Sequence, residues 1–160
     1  MIGRDLPIAI ASLLVLAGWL GAALLVVLSV APAAFAVLPT RALAGALVGR
    51  VLPVLFWSGM LIGVALGVLG WSSPSRLARI AIAMALAGAC ATAQFGVSPR
   101  IAQLRVQAGG AIDALDASDP RRRAFGRLHG ISVALLGVAG LSAMLALYLV
   151  VREVPSRSAP

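Results

Sequence analysis

VLPVLFWSGMLIGVALGVLGW, residues 51–71, carries no charged side chain and is long enough to cross a bilayer. A helix needs about 20 mostly apolar residues to traverse a hydrocarbon core roughly 30 Å thick. The stretch is continuous in Leu, Val and Gly instead of alternating every second residue, which favours a helix over a strand of a membrane barrel. Working outward, three comparable stretches lie at 7–31, 77–97 and 128–151. With 61% hydrophobic residues, 11% charged residues and a mean hydropathy of +1.05, the chain lacks the polar surface that a soluble domain of this size requires. The expected fold is all-α: a single integral membrane domain over 1–160, a four-transmembrane-helix bundle.

The ends of these spans follow from local signals. Arg4, the apolar run after it and Ala34-Phe35-Ala36 imitate a secretory signal with its cleavage site, but the run is longer than the 7–15 residues typical of such signals, so a retained first helix is expected. Pro32 and Pro39 should end or kink that helix. Thr40 suits an N-cap, placing the start of the second helix near Arg41, with a kink at Pro53 and an end where Trp71 meets Ser72-Ser73-Pro74. Trp71 has the position of an interfacial anchor; Trp19 and Trp57 lie deeper, as packing residues.

The 98–127 connection is more than a passive loop. Ile101, Leu104, Ala108, Ala111, Ile112 and Leu115 form a rough apolar stripe broken by Gly109-Gly110, as in an amphipathic interfacial segment between helices 3 and 4. Asp119 before Pro120 reads as an N-cap with proline at the first helical position, so the fourth helix starts ahead of the membrane. Asp119 and Arg123 stand in the favourable i, i+4 order. Asp113, Asp116 and Asp119 read as solvated charges partnered with arginines.

Net charge is +8, and all 13 Lys and Arg positions are arginine. Because these cations gather at helix ends, anionic lipid headgroups are their expected partners, above all for Arg121, Arg122 and Arg123, and nucleic acid is not. Arg41, Arg50, Arg100, Arg105, Arg121, Arg122, Arg123 and Arg127 on one side outweigh Arg4, Arg76, Arg79, Arg152 and Arg157 on the other, which leans toward termini outside. Arginine without lysine, beside abundant Ala and Gly, suggests a GC-rich bacterial genome and hence a bacterial inner (cytoplasmic) membrane.

Gly59, Gly63 and Gly67 recur every four residues and permit close backbone approach, within the bundle or to a second protomer. Polar groups inside spans usually face protein or a water-lined cavity. Cys90, Gln94 and Ser98 extrapolate to one face of the third helix, and His129 and Ser132 to one stripe of the fourth. Antiparallel packing would bring Gln94 and Ser98 near His129.

Cys90 and His129 are single, which removes disulfide frameworks, zinc spacings and bis-histidine haem ligation; a Met-His haem site would have to draw on Met60, Met84 or Met144. With no nucleophile-base set, phosphate loop or carboxylate pair in a span, the chain is not expected to be an enzyme, and neither cofactor nor metal is implied.

Ala31-Pro32-x-x-Phe35, Ala44-Gly45, Ser98-Pro99-Arg100-Ile101-x-x-Leu104-Arg105 and Phe125-x-x-Leu128-His129, in this order, resemble the transmembrane protein 205-like family of four-helix membrane proteins. The resemblance implies that Pro32, Phe35, Gly45, Pro99, Arg100, Arg105, Phe125 and His129 matter, and leaves activity open. Its eukaryotic members are linked to drug resistance and secretion. The functional expectation is transport or export of a small polar or anionic solute, with His129, Gln94, Arg100 and Arg105 as the ligand-binding set. The alternative is an accessory subunit stabilising another membrane assembly, through a membrane-protein partner or a homo-oligomer.

Overall fold

The structure is a computed structural model that describes residues 2–72 and 75–156, with side chains over 6–71 and 75–152. The side chain of Arg4, together with Arg157, Ser73 and Pro74, lies outside the described residues. Among the described residues, regular structure is entirely helical. The first helix, α1, runs over Ile2–Leu25, widens into a π-helical turn at Val26–Val30 and resumes over Ala31–Val37. Helix α2 is Arg41–Leu69, followed by a single 3-10 turn at Gly70–Ser72. Helix α3 repeats the plan of α1: Arg76–Ala91, a π turn at Thr92–Val97, then Ser98–Gln107. Helix α4 is Pro120–Ser156. All four are long and apolar enough to span a membrane.

Both π turns immediately precede a proline, whereas α2 runs through Pro53 without one. A proline has no N–H to donate, and its ring clashes with the carbonyl four residues earlier, so an uninterrupted α-helix is strained at that point. In α1 the chain makes room just before Pro32: the Ala31 amide bonds to the carbonyl of Val26, one residue further back than α-helical geometry dictates. In α3 the same happens before Pro99, where the Ser98 amide reaches the Ala93 carbonyl. The Ser98 hydroxyl donates to that carbonyl as well, at 2.9 Å. Each proline then occupies the first turn of the resumed helix, where a missing N–H costs little. Hence Pro32 neither ends nor breaks α1. The stretch expected to be an interfacial helix is helical over Ser98–Gln107, but it continues α3 without a break.

Each helix packs on its chain neighbours, and α4 closes back onto α1. Leu16 and Trp19 of α1, Leu55 and Phe56 of α2, Leu86 and Cys90 of α3, and Ala139 and Ala143 of α4 form the common core. Its tightest seam joins α2 to α3. A Cβ on Gly59 would lie 2.7 Å from Cys90 Sγ and 2.8 Å from the Trp19 ring; one on Gly63 would lie 2.8 Å from the Ala83 carbonyl oxygen and from Ala87. Gly67, by contrast, has ordinary clearance, 3.7 Å from Ala83. The glycine stripe is thus buried inside one bundle along most of its length. Trp19 does more than pack, since its indole N–H donates to the Leu55 carbonyl at 3.0 Å, a buried bond that ties α1 to α2. Trp57 and Phe95 meet edge to face at 5.2 Å, linking the outer surfaces of α2 and α3.

The caps follow the sequence signals. Thr40 has extended backbone and its hydroxyl accepts from the Leu43 amide, opening α2. Helix α3 stops at Gly109 and Gly110, both at positive φ, with Gly110 bonding back to Arg105 and Gly109 to Val106, a Schellman closure. Asp119 accepts from the Arg121 amide at 2.7 Å and holds its guanidinium in a two-pronged pair. The i, i+4 partner Arg123 instead donates to the Ser118 carbonyl, because Asp119 precedes the first helical turn and does not project along the helix face.

Two outcomes follow. Gly63→Ala should cost about 1–3 kcal/mol through overpacking in thermal unfolding in mild detergent, whereas Gly67→Ala should show no such loss. The bonds donated by Arg121 hold the Asp119 carboxyl down, at about 2. A carboxylate depressed in the folded state adds stability above its unfolded value of about 3.9, and this contribution disappears as pH falls through about 2. Carboxyl NMR should place the Asp119 midpoint near 2, and Arg121→Ala should return it toward the ordinary value.

Candidate functional site

The antiparallel register set by Gly59 and Gly63 carries α2 and α3 past each other until the start of α2 faces the last turn of α3. Arg105 sits on that turn. Its Nη1 donates to the Gly45 carbonyl at 2.9 Å. The guanidinium fits because Gly45 and Gly49 lack side chains: a Cβ on Gly45 would stand 2.8 Å from Nη2, and one on Gly49 3.0 Å from Nη1. From α4, the Phe125 ring lies under the guanidinium, 5.6 Å from Cζ to the ring centroid. His129, one turn further along α4, lies parallel to Phe125 at 6.2 Å. One cation therefore touches α2 through a backbone carbonyl and α4 through an aromatic face. Asp113, in the short 3-10 turn Ile112–Ala114, adds a favourable charge interaction.

The three arginines after Asp119 complete this end of the bundle. Besides holding Asp119, Arg121 donates from Nη1 to the Gln107 carbonyl at the C-terminus of α3, where the helix dipole favours a cation. Arg122 donates to the Leu115 carbonyl at 2.8 Å and Arg123 to that of Ser118 at 2.9 Å. Arg122 and Arg123 hold the 108–118 connection by its backbone, and Arg121 holds the end of α3 beside it. Asp116 accepts both the amide and the hydroxyl of Ser118, which hold its carboxyl below the usual range.

The expected ligand-binding set does not assemble as a unit. Arg105 is half-buried in the clamp, Arg100 is exposed on α3, and His129 is exposed apart from its ring contact with Phe125. Gln94 lies inside the π turn, its Oε1 buried without a hydrogen-bond partner. The stripe drawn through Cys90, Gln94 and Ser98 shifts here, since a π turn uses an additional residue: Cys90, Ala93 and Val97 form the buried face, and Gln94 and Ser98 border it. Among the described residues, no hydrogen bond joins Gln94, Arg100 and His129 to one another. Pro32, Phe35 and Pro99 are exposed, and Gly45 is buried. The pairing of Gly45 and Gly49 with a cation on the opposite helix was not read from the sequence, though their i, i+4 spacing at a helix end was its visible trace.

Residues 14–109 match the model of a family described as a domain of unknown function, DUF4149. The chain belongs to the DUF4149 family. The DUF4149 match takes in most of α1 and all of α2 and α3, including Gly45, Gly49 and Arg105, and closes on Gly109 of the Schellman turn. Phe125 and His129 of α4 lie beyond it. No curated protein and no solved structure matches the chain.

Among the described residues, no group of three His, Cys, Asp or Glu side chains stands where a metal ion could be held. What the geometry can do is brace: a guanidinium bonded to a carbonyl and covered by a ring fixes three helices at one end. Arg105→Ala should cost about 1.5–3 kcal/mol, the range for a hydrogen bond to a charged group. Arg105→Ala and Phe125→Ala should combine less than additively in a double-mutant cycle of thermal unfolding.

Proposed function

We propose that this DUF4149 protein is a non-catalytic accessory subunit that stabilises another assembly in a bacterial inner membrane. The observation that carries the reading is the engagement of Arg105, which is spent on the Gly45 carbonyl and the Phe125 face inside its own fold. A polar solute pathway needs groups presented to a lumen, whereas the interior between these helices is filled by Leu16, Phe56, Leu86, Cys90 and alanines. The outer faces of α2 and α3 present Trp57 and Phe95, large rings suited to packing against a further transmembrane helix. The all-arginine cation set supports the bacterial assignment.

A second reading, export of a small anionic solute, draws on one observation. The buried Oε1 of Gln94 has no partner, and a group of this kind is one that a ligand or water would satisfy. Native mass spectrometry of the protein extracted in mild detergent separates the two. The expected result is a complex with a second, different polypeptide that survives Gln94→Leu. A protein without a second polypeptide, carrying a reproducible small non-lipid mass that disappears in Gln94→Leu, would overturn the accessory reading and establish the other.

A further inference from the structure

The α1–α2 seam is open. Two apolar cavities, of about 400 and 440 Å³, lie end to end along it and share Val15 and Ile62. The first is bounded on α2 by Val51, Val54 and Ser58 and on α1 by Gly18 and Ala22; the second extends to Leu69 on α2 and Ile8 on α1. Along α2, Val51 to Leu69 rises about 27 Å at 1.5 Å per residue, close to the roughly 30 Å thickness of a hydrocarbon core. The first cavity, Val51 to Ile62, covers about 16 Å of that rise, roughly the depth of one leaflet. Its mouth is marked by charge. Arg50 is exposed, directly precedes Val51, and lies one turn from Val54 on the same face of α2. An apolar slot one leaflet deep, with an exposed guanidinium at its interfacial end, has the chemistry of a phospholipid: an acyl chain below and a phosphate above.

We infer that the cavity between α1 and α2 bounded by Gly18, Ala22, Val51 and Val54 binds one acyl chain of a phospholipid whose phosphate pairs with Arg50. This inference is independent of the accessory reading, because it concerns a different seam of the bundle. Ser58 lines the slot yet withdraws its hydroxyl, which donates to its own helix at the Val54 and Leu55 carbonyls. The wall therefore presents hydrocarbon to the chain. Gly18 keeps the slot open: a Cβ built there meets nothing within 4 Å, so a larger side chain would enter the cavity without disturbing the core.

The test uses full-length protein, delipidated in detergent and titrated with dioleoyl phosphatidylglycerol under native mass spectrometry. One tightly held lipid per chain is expected. Arg50→Gln should weaken it about fivefold, as loss of roughly 1 kcal/mol of headgroup attraction implies. Gly18→Leu should abolish it, and Arg41→Gln, remote from the slot, should leave it unchanged. Thermal unfolding of each variant, matching the parent protein, verifies that the bundle is intact. Equal lipid binding by the parent, Arg50→Gln and Gly18→Leu proteins would overturn the proposal. So would a dimer or a complex with a second polypeptide that is lost in Gly18→Leu, since the slot would then hold a helix.

Discussion

Close approach of α2 to α3 at Gly59 and Gly63 sets everything else in this protein. Lipid tails are as apolar as leucine, so helices in a bilayer gain little from burying hydrocarbon against each other and depend on tight packing and a few polar bonds. Glycines with Ala83, Ala87 and Cys90 seated against them fix how far α2 can slide along α3. From that register, Gly45 meets Arg105 at one end and Gly70 meets Arg79 at the other. A shift of one turn would move the guanidinium off the Gly45 carbonyl and leave a charged donor without its partner.

Much of this is legible in the sequence. Long apolar runs gave the four helices, and Thr40 and Asp119-Pro120 gave the starts of two, since each signal acts through the local backbone; Gly109-Gly110, read as a break in an interfacial stripe, instead ends α3. The glycine spacing gave a close interface, and the structure supplied its neighbours. The site was less legible because its geometry is not periodic. Arg100 and Arg105 look alike in the sequence, yet one is exposed and the other reaches across to α2. Arg121, Arg122 and Arg123 read as lipid anchors because they are basic and close to a membrane face. Their donation to the carbonyls of Gln107, Leu115 and Ser118 depends on how a glycine-ended connection folds back, which no residue spacing states.

Polar chemistry in the bundle is concentrated at one end and directed inward. Arg105 and Arg121 both reach backbone carbonyls, and between them they tie the last turn of α3 to the first turns of α2 and α4. The DUF4149 match stops at the end of α3, so its residues include the guanidinium and its carbonyl partner but not the covering ring. The α1–α2 seam contrasts with this end: it relies on the Trp19 indole bond and leaves apolar space open to the bilayer.

The two π turns carry a final consequence. An α-helix advances about 100° per residue, so gaining or losing one residue normally rotates everything downstream to a new face and undoes the packing. A π turn is the form in which a helix absorbs an additional residue while its two ends keep their phase. Val26–Val30 and Thr92–Val97 are therefore slack in α1 and α3. Each is a place where its helix can change length by one residue, and the one in α3 can do so and still deliver Arg105 to α2.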